Sequence, residues 1–228
     1  MPTISNISFK VNKGETLAII GATGSGKSTI INLIPRFYDA TSGEVLVNGI
    51  NVLDYKVKDL RNLVAIASQK AALFKGTIQD NITYGSPIID QERMDMALDI
   101  AKADFVKDLE QGLDSMVAQG GSNFSGGQKQ RISIARALYK NAPIIIFDDT
   151  FSALDYKTDM LVRKKIKENL KDTTVIIIAQ RIGTIMNADN IIVLDEGKII
   201  GMGTHKQLLK SCSLYQEIAL SQLSKEEL

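Results

Sequence analysis

Gly21-Ala-Thr-Gly-Ser-Gly-Lys-Ser28 is the stretch that decides the fold, because it fits the phosphate-binding loop pattern of Gly, four residues and then Gly-Lys-Ser. It follows an apolar run, Thr16–Ile20, that is predicted to be a strand, and it opens a helix predicted over residues 27–34. Glycines allow backbone angles that turn successive N–H groups toward an anion, and the helix points its positive end at the same place. The stretch therefore predicts a site for the phosphates of a nucleotide.

Two side chains at the end of this loop suit a nucleotide that carries magnesium. The Lys27 ammonium can reach the β- and γ-phosphates, and the Ser28 hydroxyl can ligate Mg²⁺. The alternative is a glycine-rich turn that matches the pattern by chance, but the flanking strand and helix and the carboxylates further along the chain argue against it. The residues of this stretch predicted to bind the nucleotide are Gly21, Thr23, Gly24, Ser25, Gly26, Lys27, Ser28 and Thr29.

A second apolar run, residues 144–147, ends in two carboxylates, Asp148 and Asp149. The run predicts a buried strand whose carboxyl end places Asp148 beside the phosphates, where it can hold the metal and its waters. Asp149, one residue further on, can polarise an attacking water. An isolated pair of acids at a strand end is also compatible with a solvated turn or a helix cap. The presence of the phosphate loop favours a role in metal binding and catalysis over a turn or a helix cap.

The remaining hydrophobic pattern alternates strands with helices. This alternation predicts an α/β fold with a mainly parallel sheet that is covered on both faces. Further strands are predicted at 44–47, 64–67, 174–178, 191–194 and 198–200, and further helices at 128–139, at 157–170 and in the C-terminal segment that carries Tyr215, Ile218, Ala219 and Leu223.

Residues 85–122 depart from this alternation. Within them, apolar residues recur at helical spacing from Met94 to Leu109. We therefore expect a helical insertion at 85–122 within one domain, whose α/β core is formed by 1–84 and 123–228.

Composition excludes several classes of site. Lys and Arg total 27 and Asp and Glu total 26, and this balance argues against a broad nucleic-acid-binding face. One cysteine, Cys212, excludes an internal disulfide and a multi-cysteine zinc site, and one histidine, His205, excludes a histidine-rich metal site. Because we find neither a run of about 18 apolar residues nor a secretory signal, we expect the chain to be soluble by itself and cytosolic.

A third motif, Ser125-Gly-Gly-Gln128, opens the helix predicted up to Tyr139. Ser-Gly-Gly at a helix start is a second anion-binding helix end. Taken alone it is also a common way to begin a helix. One domain needs two such ends only if the second serves a different molecule.

These motifs in this order resemble the nucleotide-binding domain of ATP-binding cassette (ABC) transporters of the exporter type, over nearly the whole chain. The resemblance implies the ABC ATPase fold, with a P-loop NTPase core, a small antiparallel β portion and a helical subdomain. It also implies ATP hydrolysis with ATP and Mg²⁺, the metal being held by Ser28, Gln69 and Asp148. The motifs that carry the resemblance are the phosphate loop, Gln69, the signature segment Ser125, Gly126, Gly127 and Gln128, then Asp148, and the dimer loop Ser152, Ala153, Leu154 and Asp155.

The resemblance also implies partners. Two such domains would pack head to tail, with each ATP between the phosphate loop of one and the signature segment of the other, and with the dimer loop crossing the interface. Gln69 would sense Mg²⁺ and the γ-phosphate, and residues 74–78 would meet the coupling helices of a transmembrane domain at the cytoplasmic face of the membrane. In purely structural terms, Gln69 and Asp155 could equally be a strand-end polar residue and a helix N-cap.

Three positions depart from the family pattern. Asp149 stands where the family usually has Glu, which shortens the side chain by about 1.5 Å. Gln180 replaces the switch histidine and cannot carry a proton or a positive charge, and Gln119 stands where exporters commonly have Glu. Asp149 and Gln180, both expected at the chemical step, together resemble the degenerate-site subunit of a heterodimeric exporter, which binds ATP and hydrolyses it slowly.

Other interpretations stay open. They are a homodimeric exporter with a slow ATPase, and a regulatory module in which ATP clamps the dimer and is rarely hydrolysed. A soluble ABC ATPase acting on DNA or ribosomes is disfavoured, because the chain is one uninterrupted cassette without basic excess.

The two ends of the chain give further expectations. The sequence begins where the family would already have completed a strand and an aromatic residue that stacks on adenine, so we expect an N-terminally truncated β portion. Either adenine is held more weakly, or the sequence is a fragment that omits the stacking residue. Membrane-spanning segments, fused ahead of this domain in most exporters, are also not seen in the sequence. His205 lies in a Gly-Thr-His turn and is expected to be structural, and Cys212 is expected to be a packed or partly exposed thiol.

Overall fold

The computed structural model describes residues 3–224, which are organised around one large sheet. The strands are β1 (Thr16–Ile20), β2 (Leu46–Val47), β3 (Ile50–Asn51), β4 (Val64–Ala67), β5 (Gly76–Thr77), β6 (Met116–Val117), β7 (Ile144–Asp148), β8 (Thr174–Ile178), β9 (Asn190–Asp195) and β10 (Lys198–Gly203). The α-helices are α1 (Lys27–Leu33), α2 (Val57–Asn62), α3 (Ile78–Ile82), α4 (Gln91–Ile100), α5 (Gly126–Tyr139), α6 (Tyr156–Asn169), α7 (Ile182–Ile185), α8 (His205–Ser211) and α9 (Ser213–Gln222).

The main sheet has six strands in the order β10-β9-β1-β8-β7-β4. All neighbours are parallel except β10, which returns antiparallel to β9. Two smaller antiparallel pairs, β2 with β3 and β5 with β6, lie outside it. The mainly parallel α/β fold predicted from the sequence is confirmed.

Each central strand is buried on both faces, which explains its continuous apolar sequence. Leu17 and Ile19 of β1 point to one face and pack in the same cluster as Ile30 of α1. Their neighbour Ala18 points to the other face, in the cluster that contains Ile132 of α5. Successive side chains of a strand alternate between faces, so helices cover both sides of the sheet.

The predicted strand at 44–47 is shorter than expected. Only Leu46–Val47 pairs, with Ile50–Asn51, around a turn at Asn48 and Gly49 whose φ angles are 52° and 76°. Positive φ at both turn residues is the requirement of a tight two-residue hairpin turn, which Asn-Gly meets.

The helical spacing of apolar residues from Met94 to Leu109 extends beyond the helix itself, because α4 ends at Ile100. Lys102 has a φ of 52°, and the N–H groups of Lys102 and Ala103 donate to the carbonyls of Asp99 and Leu98. This is the hydrogen-bond pattern of a helix stop that normally has glycine at the left-handed position. A lysine there carries no such signal, so the end of the helix could not be recognised. Among residues 3–224, none of the helices combines the length and the apolar character needed to cross a membrane.

Candidate functional site: an enclosed phosphate loop and an exposed helix start

The phosphate loop between β1 and α1 passes close beneath β9. A Cβ atom at Gly21 would lie 2.0 Å from the carbonyl oxygen of Leu194 and 2.8 Å from Ser25 Oγ, so no larger residue fits there. Gly24 and Gly26 have φ angles of 83° and 101°, in the left-handed region that favours glycine. The glycines therefore set the path of the loop, while Gly21 and Ser25 lie buried behind its ligand-facing side.

Lys27, the first residue of α1, turns its side chain back over the loop. Its ammonium donates to the carbonyl oxygens of Gly21 and Ala22, each at 2.7 Å, and the residue is 8% exposed. Burial lowers the pKa of Lys27, while the nearby charges of Asp149 and Asp148 oppose that shift. A positive charge is thus held at the centre of the loop.

A cavity of about 270 Å³ opens in front of this loop. It lies where β1, β4, β7 and β8 end, at the carboxyl edge of the parallel strands, the usual ligand position in open α/β sheets. Its lining residues are Thr3, Thr23, Gly24, Gly26, Lys27, Ser28, Thr29, Gln69, Asp148, Asp149, Ile178 and Gln180.

The structure therefore brings together most of the residues that the sequence singled out for nucleotide, metal and catalysis. Thr3 and Ile178 are additional. Ile178 is the last residue of β8 and could have been inferred from its place just before Gln180. Nothing in the sequence marks Thr3, which reaches the cavity because its backbone carbonyl passes close to Gly26 and Gly197.

The two carboxylates stand at the floor of the cavity in different settings. Asp148 ends β7, whereas Asp149 adopts a left-handed conformation with φ 45° and ψ 28°. Burial raises the pKa of both carboxyl groups, and the charge of Asp149 raises that of Asp148 further. The Lys27 ammonium acts in the opposite direction on both. The carboxylates and the lysine thus form one coupled set of charges.

Two side-chain amides converge on one oxygen of Asp149. Gln69 Nε2 donates to Asp149 Oδ2 at 2.9 Å, and Gln180 Nε2 approaches the same oxygen at 3.4 Å. The turn that carries Asp149 is also pinned, because Ser152 Oγ donates to the Asp149 carbonyl and Thr150 Oγ1 donates to the Ala67 carbonyl, both at 2.7 Å. The position of the Asp149 carboxylate is therefore fixed by three separate segments of the chain.

The donor set around the loop fits magnesium. Ser28 offers a hydroxyl, Asp148 a carboxylate and Gln69 an amide oxygen, and hard oxygen ligands of this kind are those that Mg²⁺ prefers. The Gln69 Nε2 group is engaged with Asp149, which leaves Oε1 as the atom available to a metal.

The signature segment lies apart from this cavity, since no residue of Ser125, Gly126, Gly127 and Gln128 belongs to the lining found within residues 3–224. Ser125 caps α5: its Oγ accepts from the Gln128 N–H at 3.3 Å, and its own N–H donates to Gln128 Oε1 at 2.9 Å. Ser125 and Gly126 are exposed. The two glycine-bearing helix starts of this chain therefore do not share one site.

One buried amide nevertheless joins the two regions. Gln130 of α5 is 2% exposed, and its Nε2 donates to the carbonyl of Ser68 at 3.0 Å, directly before Gln69. One residue further, Arg131 donates to the Lys102 carbonyl at 2.9 Å and lies over the Phe105 ring. The helix that follows the signature segment thus contacts both the Gln69 loop and the residues after α4.

The comparisons with known proteins agree with this geometry. The sequence profile of the ABC transporter family matches residues 4–152. The chain belongs to the ABC transporter family.

Relatives of this chain in the ABC family are named as ABC transporter ATP-binding proteins or as lipid A-core flippases. An uncharacterized ABC transporter ATP-binding protein of Mycobacterium tuberculosis is 46% identical over 225 residues, covering 97% of this chain and 38% of that protein. An ATP-dependent lipid A-core flippase of Photobacterium profundum is 45% identical over 219 residues, covering 95% of this chain and 37% of that protein. The chain thus spans well under half the length of these relatives.

A solved structure of a bacterial Atm1-family ABC exporter with ATP bound has the same fold. Its TM-score is 0.93 at 39% identity, and the match covers 98% of this chain and 40% of that one. The fold is therefore that of an exporter-type ABC nucleotide-binding domain, as the resemblance implied.

In this ABC domain the dimer loop is mostly exposed. Ser152, Ala153 and Asp155 are exposed and Leu154 is buried, and Asp155 caps α6 by accepting from the Thr158 N–H at 3.0 Å. The helix-cap interpretation of Asp155 is therefore correct locally, and it leaves the exposed residues of the loop available to a partner.

Gln119 lies exposed on the short segment between β6 and α5 of the ABC domain. Asn123 braces this segment, because its Nδ2 donates to the Met116 carbonyl at 2.9 Å and its Oδ1 accepts from the Ala118 N–H at 3.0 Å. Gln119 therefore lies on the segment that leads directly into the signature segment.

His205 and Cys212 lie in the packed interior of the ABC domain. His205 is 7% exposed, its Nδ1 lies 2.8 Å from the hydroxyl of buried Tyr215, and burial lowers the pKa of the imidazole. Burial also raises the pKa of Tyr215 to about 12. Cys212 is 6% exposed and lies where a Cβ on Gly201 would meet its sulfur at 3.0 Å. The expected structural placement of both residues agrees with these contacts.

Proposed function

We propose that this chain is the ATP-binding domain of an ABC exporter, that it binds Mg-ATP in the cavity at the phosphate loop, and that it hydrolyses the ATP slowly. The observation that carries the proposal is the convergence of the Gln69 and Gln180 amides on Asp149 Oδ2, at 2.9 and 3.4 Å, inside that cavity. The residues proposed to bind the nucleotide, to sense its γ-phosphate and to hydrolyse it then lie around one cavity.

Binding rests on the loop and on the charges around it. The backbone N–H groups of the loop and of the first turn of α1 would receive the phosphates, and Lys27 would transfer its bonds from the loop carbonyls to the β- and γ-phosphates. Ser28, Gln69 and Asp148 would hold Mg²⁺, which neutralises phosphate charge when bound. The two carboxylates with raised pKa values would be driven back toward their ionised forms by these cations.

Slow hydrolysis follows from two side chains. Asp149 would orient the attacking water, but its carboxylate is one methylene shorter than that of Glu, and a misplacement of about 1 Å can cost on the order of a hundredfold in rate. Gln180 offers an uncharged amide and cannot place positive charge next to the γ-phosphate. Both amides also donate to Asp149 Oδ2, one of the two carboxylate oxygens that could accept from water. We therefore infer the degenerate-site subunit of a heterodimer.

The second domain of the dimer would use the exposed signature segment. Ser125 and Gly126 would complete the competent ATP site on the partner's phosphate loop, and the exposed residues of the dimer loop would lie across the interface. The isolated chain then offers only half of each site.

A transmembrane domain would meet the surface around Phe74. The Phe74 and Tyr84 rings stack with centroids 4.7 Å apart, and they are 46% and 65% exposed. Arg136 holds this surface to α5, lying over Phe74 and donating to Asn81 Oδ1 at 2.9 Å. An exposed aromatic pair next to the Gln69 loop supports docking of coupling helices at the cytoplasmic face of the membrane.

The test is single-turnover hydrolysis of Mg-ATP by the purified chain, alone and in complex with its partner domain. We expect tight binding and very slow turnover by the unchanged chain, and a gain of about 100-fold in the double variant Asp149→Glu, Gln180→His within the complex. Asp172→Glu, which lengthens an exposed carboxylate far from the cavity, is the matched control and should gain nothing.

Two outcomes would contradict this proposal. Brisk turnover by the unchanged chain would show that Asp149 and Gln180 do not limit the rate. No gain in the double variant, even with the partner present, would place the limit elsewhere. A dimer that forms with ATP and yields no product over many hours would instead identify a regulatory module.

A further inference from the structure

The side chain of Gln222, at the end of the C-terminal helix α9, holds the segment that carries Gln180. Gln222 Oε1 accepts from the Ile182 N–H at 2.8 Å, and Gln222 Nε2 donates to the Gln180 carbonyl at 2.8 Å. One carboxamide thus bonds to backbone groups on both sides of Arg181, about forty residues earlier in the chain, because it offers a donor and an acceptor together.

The segment depends on this contact at the start of α7. Arg181, the N-cap residue, makes no side-chain capping hydrogen bond within residues 3–224, so the first N–H of α7 finds its acceptor on Gln222. An uncapped N–H at a helix start otherwise needs water or another partner. Packing fixes the rest of α7, since Ile182 and Ile185 are fully buried.

The segment 180–182 also carries two groups that interact with the Asp149 carboxylate. The Gln180 amide lies 3.4 Å from Asp149 Oδ2, and the Arg181 guanidinium acts on that carboxylate through its charge. A shift of the backbone at 180–182 would move both groups relative to the carboxylate.

We propose that Gln222 is a positioning residue: by bonding to the backbone on both sides of Arg181, it fixes the segment 180–182 and thereby the distance between Gln180 and Asp149. The C-terminal helix α9 acts as a brace for the switch position of the ATP site. The consequence for hydrolysis rests on the proposed function, whereas the brace itself does not.

The first test compares Gln222→Ala with Gln216→Ala in single-turnover hydrolysis and in ATP titrations. Gln216 lies on the same helix, and its Nε2 donates to the Leu209 carbonyl of α8, so Gln216→Ala removes an equivalent bond without touching the switch segment. We expect Gln222→Ala to slow the hydrolytic step by about tenfold with the ATP dissociation constant changed less than twofold, because a small misplacement affects chemistry more than binding. Gln216→Ala should change neither quantity.

The second test measures hydrogen exchange of the Ile182 amide by NMR, and it does not depend on activity. Gln222→Ala removes the acceptor and should speed this exchange by at least about tenfold. Gln222→Glu keeps an acceptor for Ile182 and loses the donor to Gln180, so it should preserve protection at Ile182 and still slow hydrolysis.

Equal exchange in Gln222→Ala and the unchanged chain would overturn the brace. Unchanged hydrolysis in Gln222→Ala, or an equal loss in Gln216→Ala, would overturn the positioning role. If the unchanged chain binds Mg-ATP and never hydrolyses it, the proposed function fails, and the exchange of Ile182 alone then decides whether the brace exists.

Discussion

Two helix N-termini of this domain carry glycines and are built for opposite surroundings. At α1 the N-cap is Gly26, with a φ of 101° and no side-chain capping bond in the described chain, and Lys27 and the two carboxylates enclose the space in front of it. At α5 the N-cap is Ser125, which forms a reciprocal pair of bonds with Gln128, and the flanking Gly126 is exposed.

The difference shows which end can complete a site within one chain. The backbone donors of α1 are left for a ligand, since no side chain of residues 3–224 caps the helix, and the charges that would hold that ligand are already in place. The α5 end has its donors partly satisfied by its own capping pair and faces solvent. It can act only on a molecule that is brought to it, such as the ATP of a second domain.

Replacing one glycine in each region should give the largest contrast. Gly21→Ala places a Cβ atom 2.0 Å from the Leu194 carbonyl, so β9 must move, and we expect a loss of about 3 kcal/mol or more in the free energy of unfolding. Apart from its chain neighbours and the backbone of its own helix, a Cβ at Gly126 would meet no atom of residues 3–224 within 4 Å, so Gly126→Ala should change stability by less than about 1 kcal/mol. Urea denaturation measures both. Equal losses would mean that the two glycines have the same role.

Removing the charge of Lys27 should weaken nucleotide binding, whereas a change at the signature segment should not. Lys27→Ala takes away the ammonium at the centre of the loop, and we expect the affinity of the isolated chain for Mg-ATP to fall about 100-fold, or ~2.7 kcal/mol. Ser125→Ala should leave that affinity within about twofold, because Ser125 lies outside the cavity. Isothermal titration calorimetry gives both values, and a large loss in Ser125→Ala would contradict the separation of the two helix starts.

Removing a cap should have a smaller effect on stability. Ser125→Ala and Thr204→Ala each remove a helix cap of the same type, and each should cost about 1 kcal/mol in the free energy of unfolding. In the proposed dimer, only Ser125→Ala should also slow hydrolysis at the ATP site of the second domain. An equal effect of Thr204→Ala on hydrolysis would show that general stability, and not the signature segment, is responsible.

The smallest expected effect comes from His205, which begins α8 next to that second cap. Burial lowers its pKa in the folded chain, so as the pH falls below about 6.5 the imidazole is protonated in the unfolded chain before it is protonated in the folded chain. The stabilisation from the neutral imidazole is therefore present above that pH and is lost as the pH falls through it. Chemical denaturation between pH 7.5 and 5.5 should show this decline, and His205→Gln should flatten it. If His205→Gln leaves the pH dependence of the free energy of unfolding unchanged, other titratable groups cause the decline.

The sequence was sufficient to predict the sheet and the phosphate loop, because both rest on local patterns. Continuous apolar runs at β1, β4 and β8 match buried parallel strands residue for residue. The end of α4 was missed because a lysine, not a glycine, takes the left-handed position after it. A pattern of residue types does not reveal a left-handed backbone conformation when a residue other than glycine adopts it.

Contacts between distant segments could not be predicted either. Thr3 lines the cavity and Gln222 bonds to the Gln180 carbonyl, each from near one end of the described chain, and neither belongs to a motif. Sequence reasoning placed Asp149 near the phosphates from the strand that ends there, and Gln69 and Gln180 through the family resemblance. That both amides meet the same oxygen of Asp149 depends on how three strand ends are positioned.

The hydrogen bond between Gln130 and the Ser68 carbonyl connects helix α5 with the cavity in front of α1. Gln130 lies about one helical turn after the signature glycines, and Ser68 is the residue that carries Gln69. A displacement of Gln69 toward a metal would be opposed at α5, because the carbonyl of the preceding residue is bonded to a side chain of that helix. The cavity and the solvent-exposed start of α5 are thus mechanically connected through one buried side chain.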